Sequence, residues 1–165
     1  LINTASRKTA ELLIEHLRLA LNSLNVTPLH VEITPAQRMF SWVTGGEMPQ
    51  GFRLNGSCTA SDGDDGKINL KGINLLGNDV QEMLQSARDI KTLGLAYEDK
   101  WQATLTADMT LKSLKPGELT REEIDETDHE TLAASYRATA LLQAKELTTL
   151  INALAAAMNT GERHV

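Results

Sequence analysis

The stretch Trp42-Val43-Thr44-Gly45-Gly46-Glu47-Met48-Pro49-Gln50-Gly51-Phe52-Arg53-Leu54 marks a change between two kinds of secondary structure. The chain has only 2 Trp, 2 Tyr and 2 Phe, and this stretch holds one Trp and one Phe. Gly-Gly and Pro-Gln-Gly favour turns, so the helical pattern before Gly45 must give way to extended chain after Gly51. The stretch has no nucleophile, general base or metal-ligand cluster. It therefore predicts architecture, with Trp42, Gly51 and Phe52 as structural anchors.

Helical periodicity precedes this stretch. Residues 6–24 carry leucines at three- and four-residue steps, which predicts an amphipathic helix capped by Ser6 or Thr4. Thr34-Pro35 predicts the start of a second helix, because Thr caps a helix N-terminus and Pro fits the first turn. A short strand at 29–33 is expected between the two helices.

Strand periodicity follows the stretch. Residues 52–60 and 67–72 flank Asp62-Gly63-Asp64-Asp65-Gly66, which predicts a hairpin. After a short helix at 78–88, three further strands are expected, at 90–97, 101–106 and 110–114. A long helix is expected at 131–159, with Tyr136 on its apolar stripe. Strands bracketed by helices predict an α+β fold, with an antiparallel sheet, flanking helices and a long C-terminal helix.

Composition places the chain among ordinary globular proteins. Its 165 residues are 41% hydrophobic and 23% charged, enough to bury an aliphatic core. The single cysteine, Cys58, excludes an internal disulfide and fits a reducing, cytoplasmic compartment. No apolar run approaches the roughly 20 residues that cross a bilayer, so no membrane partner is expected.

The first residues of the chain suggest that it is a fragment of a longer protein, and two segments are expected within it. Leu1-Ile2-Asn3 resembles the end of an interrupted strand. Residues 1–50 are expected to be a helical segment of a central domain. Residues 51–165 are expected to form the sheet with the C-terminal helix.

The net charge of −6 at pH 7 is unevenly distributed. Residues 116–165 carry 4 basic and 9 acidic groups, whereas residues 1–76 carry 7 of each and residues 77–115 carry 5 and 6. Most of the excess negative charge therefore belongs to the last part of the chain. Basic patches elsewhere can coexist with an acidic total.

Several residue groups resemble catalytic or metal sites, and each has a plainer structural interpretation. The carboxylates at 62–66 suit Ca²⁺ or Mg²⁺ but break the EF-hand pattern, so a polar hairpin turn is favoured. His30 and Glu32 share a strand face without a third ligand, which favours a surface pair. Cys58 has no His at a motif spacing and fits a buried thiol. The acidic run 118–130 is contiguous, whereas two-metal nucleases gather carboxylates from several strands, so a solvated linker is expected. We predict no catalytic residue, no bound metal and no cofactor.

Positive charge on the predicted edge strands is the remaining candidate. Lys67 and Lys71 have an even spacing on one hairpin arm, so their side chains point to the same face. Lys112 and Lys115 bracket the last strand of the predicted sheet. Exposed lysines on edge strands can simply prevent edge-to-edge aggregation. The alternative is a row of phosphate contacts, which needs lysines within reach and no base-reading side chains.

An ordered series of short segments resembles the C-terminal half of the family of recombination-associated protein RdgC. No single motif is diagnostic, but the series covers nearly the whole chain and fits a fragment of a protein about twice as long. The matching segments are 5–24 with Val26-Thr27-Pro28-Leu29, Trp42-Val43, 50–54, Leu93-Gly94-Leu95, 111–115, and 146–151 with Leu154.

The resemblance implies a function in recombination. Family members bind double-stranded DNA without sequence preference, form a ring-shaped homodimer around it in the nucleoid, and restrain RecA-mediated recombination. Lys112 and Lys115 match lysines of the family's strand, and Lys67 and Lys71 occupy its basic finger-like hairpin. A ring around DNA needs a positive inner surface and closing interfaces, and no active site.

Departures from the family leave other functions open. Residues 55–60 replace an acidic strand that is usual in the family, and Gly72-Ile73 replace polar or basic residues. An exonuclease, a label sometimes attached to this family, predicts Mg²⁺-dependent release of nucleotides that requires Asp64 or Glu122. A domain that mainly supplies a dimer interface predicts self-association instead.

Overall fold

The computed structural model describes residues 2, 4, 6–26, 31, 33–62, 66–87, 89–125 and 131–159. They divide into two compact units, Leu1–His30 and Val31–Val165. The helix Pro35–Val43, which precedes the turn-rich stretch, belongs to the second unit. The domain boundary expected at residue 50 concerns a longer protein and stays a prediction.

The first unit contains helix α1 (Arg7–Leu21). Ser6 has an extended backbone and its side chain accepts a hydrogen bond from the Thr9 amide, which confirms one of the two predicted caps. Asn22 adopts a left-handed conformation with φ of 56°, and this ends the helix. The helix therefore stops before position 24, where the periodicity predicts its end.

The second unit holds a five-stranded antiparallel sheet with helices before, between and after its strands. The strands are β1 (Phe52–Ser61), β2 (Lys67–Leu70), β3 (Asp89–Tyr97), β4 (Trp101–Thr106) and β5 (Leu111–Pro116). The helices are α2 (Pro35–Val43), α3 (Asn78–Gln85), α4 (Glu118–Asp125) and α5 (Leu132–Asn159). The strand order in the sheet is β2-β1-β3-β4-β5, and all neighbours are antiparallel. The predicted α+β class, with an antiparallel sheet and a long C-terminal helix, is confirmed.

Helix α2 starts at the residues that the sequence predicts. The Thr34 side chain accepts a hydrogen bond from the Gln37 amide, and the Gln37 side chain accepts one from the Thr34 amide. Pro35 occupies the first turn, where a missing N–H costs nothing. This reciprocal capping satisfies two amides that the helix itself leaves unpaired.

The turn between α2 and β1 contains glycines with positive φ. Gly45 has φ of 93° and Gly51 has φ of 82°. A Cβ on Gly51 would lie 2.9 Å from Cε2 of Tyr97, so both the backbone conformation and the space require glycine there. The Gly51 carbonyl accepts a hydrogen bond from the Glu98 amide at 2.9 Å, and β1 begins at the next residue.

The apolar core lies on one face of the sheet. Trp42 on α2 is 2% exposed, and Phe52 packs against Tyr97 with ring centroids 4.8 Å apart. Leu150 and Leu154 bring α5 into the same cluster. The central strands contribute a row of buried side chains: Ile90, Leu93, Leu95, Trp101 and Leu105. Burial of this continuous apolar surface is the main stabilisation of the unit.

Cys58 lies in this core, and burial raises the pKa of its thiol from 9.0 to about 11. Because only the thiolate reacts rapidly, we expect a thiol-reactive dye to label Cys58 very slowly near neutral pH until the protein is unfolded by guanidinium. Cys58 is the single cysteine, so labelling reports this site alone. Prompt labelling of the folded protein would contradict the burial.

The raised pKa also makes the free energy of unfolding depend on pH. The thiol of the unfolded chain loses its proton at a lower pH than the buried thiol, so the contribution of Cys58 to stability is lost as pH rises from about 9 to about 11.

Two expectations about the C-terminal part are wrong. The sequence predicts a solvated linker for the acidic run 118–130, but its first part, Glu118–Asp125, forms helix α4, and residues 126–130 lie outside the described residues. Thr120 gives the reason, because it is fully buried and its hydroxyl donates to the Lys100 carbonyl at 2.9 Å. The periodicity places Tyr136 on the apolar stripe of α5, yet this side chain is 71% exposed. The residues that α5 buries all lie in its second half: Glu146, Leu150, Leu154, Ala157 and Met158.

An ion pair joins α5 to the turn between β3 and β4. Nζ of Lys100 lies 2.9 Å from Oε2 of Glu146. The hydrogen bond to this carboxylate raises the pKa of Lys100. Both side chains are largely removed from solvent, so removal of either partner would leave a poorly solvated charge.

Two further expectations concern a short strand before α2 and segments that could cross a membrane. The strand expected at 29–33 falls mostly outside them, and the two described positions, Val31 and Ile33, are not in a strand. In the described ranges, no helix combines the length and the apolarity that crossing a bilayer requires.

Candidate nucleic-acid interface

The two faces of the sheet differ in chemistry. Directly opposite residues on neighbouring antiparallel strands point to the same face. The pairs Leu95–Ala103 and Tyr97–Trp101 lie on the core side. The intervening pairs lie on the opposite side, which we call the open face. Its side chains are Arg53, Thr59, Ser61, Lys67, Asn69, Asp89, Thr92, Ala96, Gln102, Thr104, Thr106, Lys112 and Lys115.

Lys112 and Lys115 both lie on the open face, on edge strand β5. Lys112 is opposite Thr104, and Lys115 is opposite Gln102. Both lysines are exposed. Strand β5 therefore presents two ammonium groups to the same side of the sheet.

A bulge in β5 produces this arrangement. Two strand residues at an odd spacing of three normally point to opposite faces. The register shifts between Gln102 and Thr104, because β5 has one more residue than β4 between the two pairs. Ser113 has a φ of 51° and lies in this bulge. The extra residue restores a common face for the two lysines.

The other two predicted lysines belong to the opposite edge of the sheet. Lys67 is opposite Ser61 on the open face, and the predicted hairpin of β1 and β2 is present. Lys71 directly follows β2, which ends at Leu70. Both lysines are exposed. The tip of the hairpin, residues 63–65, lies outside the described residues.

Lysines thus lie at both margins of the open face. Neighbouring strands lie about 4.8 Å apart, so four steps separate β2 from β5 by about 19 Å. Between these margins, the central strands present Thr59, Thr92 and Gln102 on the open face. Their hydroxyl and amide groups can donate hydrogen bonds to phosphate oxygens.

Two other cations of the sheet have acidic partners. Arg53 forms an ion pair with Asp99, and Nζ of Lys91 lies 3.2 Å from Oδ2 of Asp89. All four side chains are more than half exposed, so these pairs add little to stability.

The predicted lysines differ from these cations. Among the ion pairs that the described residues form, none engages Lys67, Lys71, Lys112 or Lys115. Their charges are therefore not neutralised by a carboxylate of the described part of the chain. They remain available for an anionic ligand.

The aromatic rings of the sheet belong to its other side. Phe52, Tyr97 and Trp101 are all part of the buried core. The open face, as far as the structure describes it, has hydroxyl, amide, ammonium and guanidinium groups, the carboxylate of Asp89 that pairs with Lys91, and no ring on which a base can stack. Proteins that bind single strands commonly use such rings.

The described residues do not assemble the other candidate sites. Cys58 lies in the core, and Glu122 is exposed on α4. His30, Glu32 and Asp64 lie outside the described residues. Within the described ranges, no three His, Cys, Asp or Glu side chains come together as a metal site.

Sequence reasoning missed the hydroxyl groups of the open face. Thr59, Thr92 and Thr106 occupy directly opposite positions on three neighbouring strands. Alternation of Thr with apolar residues signals such a polar face, but it does not show which threonines become neighbours. The bulge at Ser113 had no signal in the spacing, because Ser is not a residue that favours positive φ.

Comparison with known proteins gives a consistent family. The family model described as "Putative exonuclease, RdgC" matches residues 1–161. The chain is 32% identical over 164 residues to the recombination-associated protein RdgC of Pseudomonas entomophila, covering 98% of the chain and 54% of the relative. It is 30% identical over 166 residues to the protein of the same name from Yersinia enterocolitica, covering 99% of the chain and 55% of the relative.

A third relative has the same name and a similar extent of matching. It is the recombination-associated protein RdgC of Serratia proteamaculans, 31% identical over 153 residues, with 92% of the chain and 50% of the relative covered. The chain thus spans about half the length of the curated relatives that it matches. The match of the family model over nearly the whole chain, together with these identities, shows that the chain belongs to the RdgC family.

Proposed function

We propose that the open face binds the phosphate backbones of double-stranded DNA without sequence preference. The main support is the position of Lys67, Lys112 and Lys115 on one face, free of ion pairs with the described carboxylates. Lys71 adds a fourth exposed ammonium group beside β2. A lysine acts as a point charge on a flexible stem, so it holds a phosphate without reading a base.

The shape and chemistry of the open face favour a duplex over a single strand. Its lysines lie at two margins about 19 Å apart, so they can approach two phosphate backbones rather than one. Stacking platforms would be needed to hold unpaired bases, and the rings of the sheet lie on the core side. A hydroxyl-rich surface with lysines along both margins suits the regular backbone of a duplex.

We also propose that the whole protein acts in the bacterial nucleoid as a ring-shaped homodimer that modulates RecA-dependent recombination. Support comes from membership of the RdgC family, whose matched relatives are named recombination-associated proteins. An encircling ring needs a positive inner surface, and the open face would supply part of it. Sedimentation of the full-length protein as a monomer alone would contradict the homodimer.

A salt series tests the DNA-binding proposal directly. If the four lysines of a single protomer contact phosphates, the logarithm of the binding constant falls with the logarithm of salt at a slope of about −3.6. We expect affinity to drop roughly a hundredfold between about 50 and about 200 mM salt, as measured by fluorescence anisotropy of a labelled duplex. A second duplex of unrelated sequence should give the same slope. A salt-independent constant, or tighter binding of a single strand, would contradict the proposal.

The wording of the family model favours one alternative, an exonuclease. This alternative predicts that labelled duplex is shortened in the presence of Mg²⁺ and that replacement of Glu122 or Asp64 stops the reaction. We propose that the protein is not a nuclease, and expect the duplex to stay intact after incubation with Mg²⁺. Shortened products that disappear with Glu122→Gln would overturn this proposal in favour of the exonuclease.

A further inference from the structure

We propose that Ser113 is a positioning residue that turns Lys112 and Lys115 to the same face of the sheet. The proposal rests on the DNA-binding function proposed for the open face. Ser113 itself is not required to touch DNA. It acts by determining on which face of the sheet the Lys115 side chain lies.

The pairing of β5 with β4 shows what the bulge changes. From the pair Lys112–Thr104, three steps along β5 lead to Lys115, whereas two steps along β4 lead to its partner Gln102. In a regular ladder, Lys115 would instead be opposite Trp101, whose ring is buried in the core. The extra residue therefore decides whether this ammonium group reaches the open face. Bulges commonly redirect side chains in this way.

The backbone of Ser113 absorbs the extra residue. Its φ of 51° is in the left-handed region, which glycine adopts readily and β-branched residues adopt very rarely. Replacement by glycine keeps this conformation accessible. Replacement by valine opposes it, because both Cγ atoms crowd the backbone. The residue at 113 thus controls how stable the bulge is.

The bulge places the two lysines close together on one surface. Their partners Thr104 and Gln102 are two residues apart on β4, a distance of about 7 Å along the strand. Each strand of B-DNA carries one phosphate charge per about 3.4 Å of helix axis, so both lysines can reach phosphates of the same strand. Loss of the bulge would remove Lys115 from this surface while leaving Lys112 in place.

Two paired cysteine variants measure the register without DNA. Gln102→Cys with Lys115→Cys places two thiols at directly opposite positions, within the range of a disulfide. Thr104→Cys with Lys112→Cys is the matched control, because this pair lies before the bulge. We expect Ser113→Val to slow disulfide formation at 102 and 115 at least tenfold, and Ser113→Gly to leave it unchanged. The control pair should form its disulfide at the same rate with Ser, Gly or Val at position 113.

DNA binding provides the second measurement. Loss of one phosphate contact should lower the affinity of Ser113→Val for a duplex about eightfold at about 0.1 M salt and reduce the salt slope by about 0.9. Ser113→Gly should bind as the wild type does. A general loss of stability would not change the salt slope by one contact while the circular dichroism spectrum stays native. If Ser113→Val does not fold, Ser113→Ala takes its place, since it also disfavours positive φ.

The outcomes separate this inference from the proposed function. Equal rates of disulfide formation at 102 and 115 with Ser and with Val would overturn the role of Ser113, whatever the protein binds. An altered register with unchanged affinity and salt slope would overturn it as a positioning residue for DNA. If the wild type does not bind a duplex at all, the proposed function fails, and a register that still depends on Ser113 would confirm only the structural part.

Discussion

Lys112→Glu combined with Lys115→Glu is expected to lower the affinity for a duplex about a hundredfold at about 0.1 M salt. Removing two phosphate contacts makes the slope of log binding constant against log salt less negative by about 1.8. At about 0.1 M salt, this change alone weakens binding roughly sixtyfold. Repulsion between the new carboxylates and the phosphates weakens binding further. Both lysines are exposed and unpaired by the described carboxylates, so the fold should not depend on them. The measurement is anisotropy titration over a series of salt concentrations.

A control with the same change in charge separates a local contact from a general electrostatic effect. Arg137→Glu with Lys145→Glu alters two exposed cations on α5, a helix that packs on the core side of the sheet. Its effect should be no more than about threefold at the same salt concentration of about 0.1 M, because charges beyond a Debye length of about 10 Å are screened. If the control loses as much affinity as the Lys112 and Lys115 variant, the assignment of DNA binding to the open face is wrong.

Trp42→Ala is expected to lower the free energy of unfolding by about 3–5 kcal/mol, the largest effect on stability that we predict. Trp42 is only 2% exposed and belongs to the cluster through which α2 packs on the sheet. Truncation removes the transfer free energy of an indole and leaves a cavity that neighbouring side chains fill only in part. Because small domains unfold at a cost of about 5–15 kcal/mol, this variant would lose a large share of its stability. Urea denaturation followed by circular dichroism measures the change.

Tyr136→Ala is the matched control for an aromatic side chain. Tyr136 is 71% exposed on the first half of α5, so its removal should change the free energy of unfolding by less than about 0.5 kcal/mol. Trp42→Phe provides an intermediate truncation if Trp42→Ala does not fold. A midpoint for Trp42→Ala equal to that of the Tyr136 control would contradict its place as a core anchor.

Features that depend on neighbouring residues in the chain were predictable from sequence. The capping of α2 by Thr34 and Pro35 is one example, because every group involved lies within one helical turn. The strand periodicity that predicts the hairpin of β1 and β2 is another, since one face must be apolar to form a core. The α+β class follows from the order of such local elements.

Features that depend on distant residues could not be predicted in this way. The periodicity of α5 includes Tyr136, but it does not show that burial begins only at Glu146. The acidic composition of residues 118–125 favours a linker, whereas a buried hydrogen bond from Thr120 to Lys100 holds a helix there. The common face of Lys112 and Lys115 likewise depends on the pairing of β5 with β4. The candidate site was therefore predicted as a set of lysines, while its geometry came from the pairing of strands.

The position of the lysines at the two margins of the sheet has a consequence for its dynamics. In the part of the chain that the structure describes, β2 and β5 each pair with a single neighbour, so they open more readily than the central strand β3. A ligand that binds only the closed state stabilises that state by mass action. A duplex bound by lysines of both margins would therefore suppress the opening of β2 and of β5, which are not hydrogen-bonded to each other. Bound DNA would thus couple the local opening of the two edge strands.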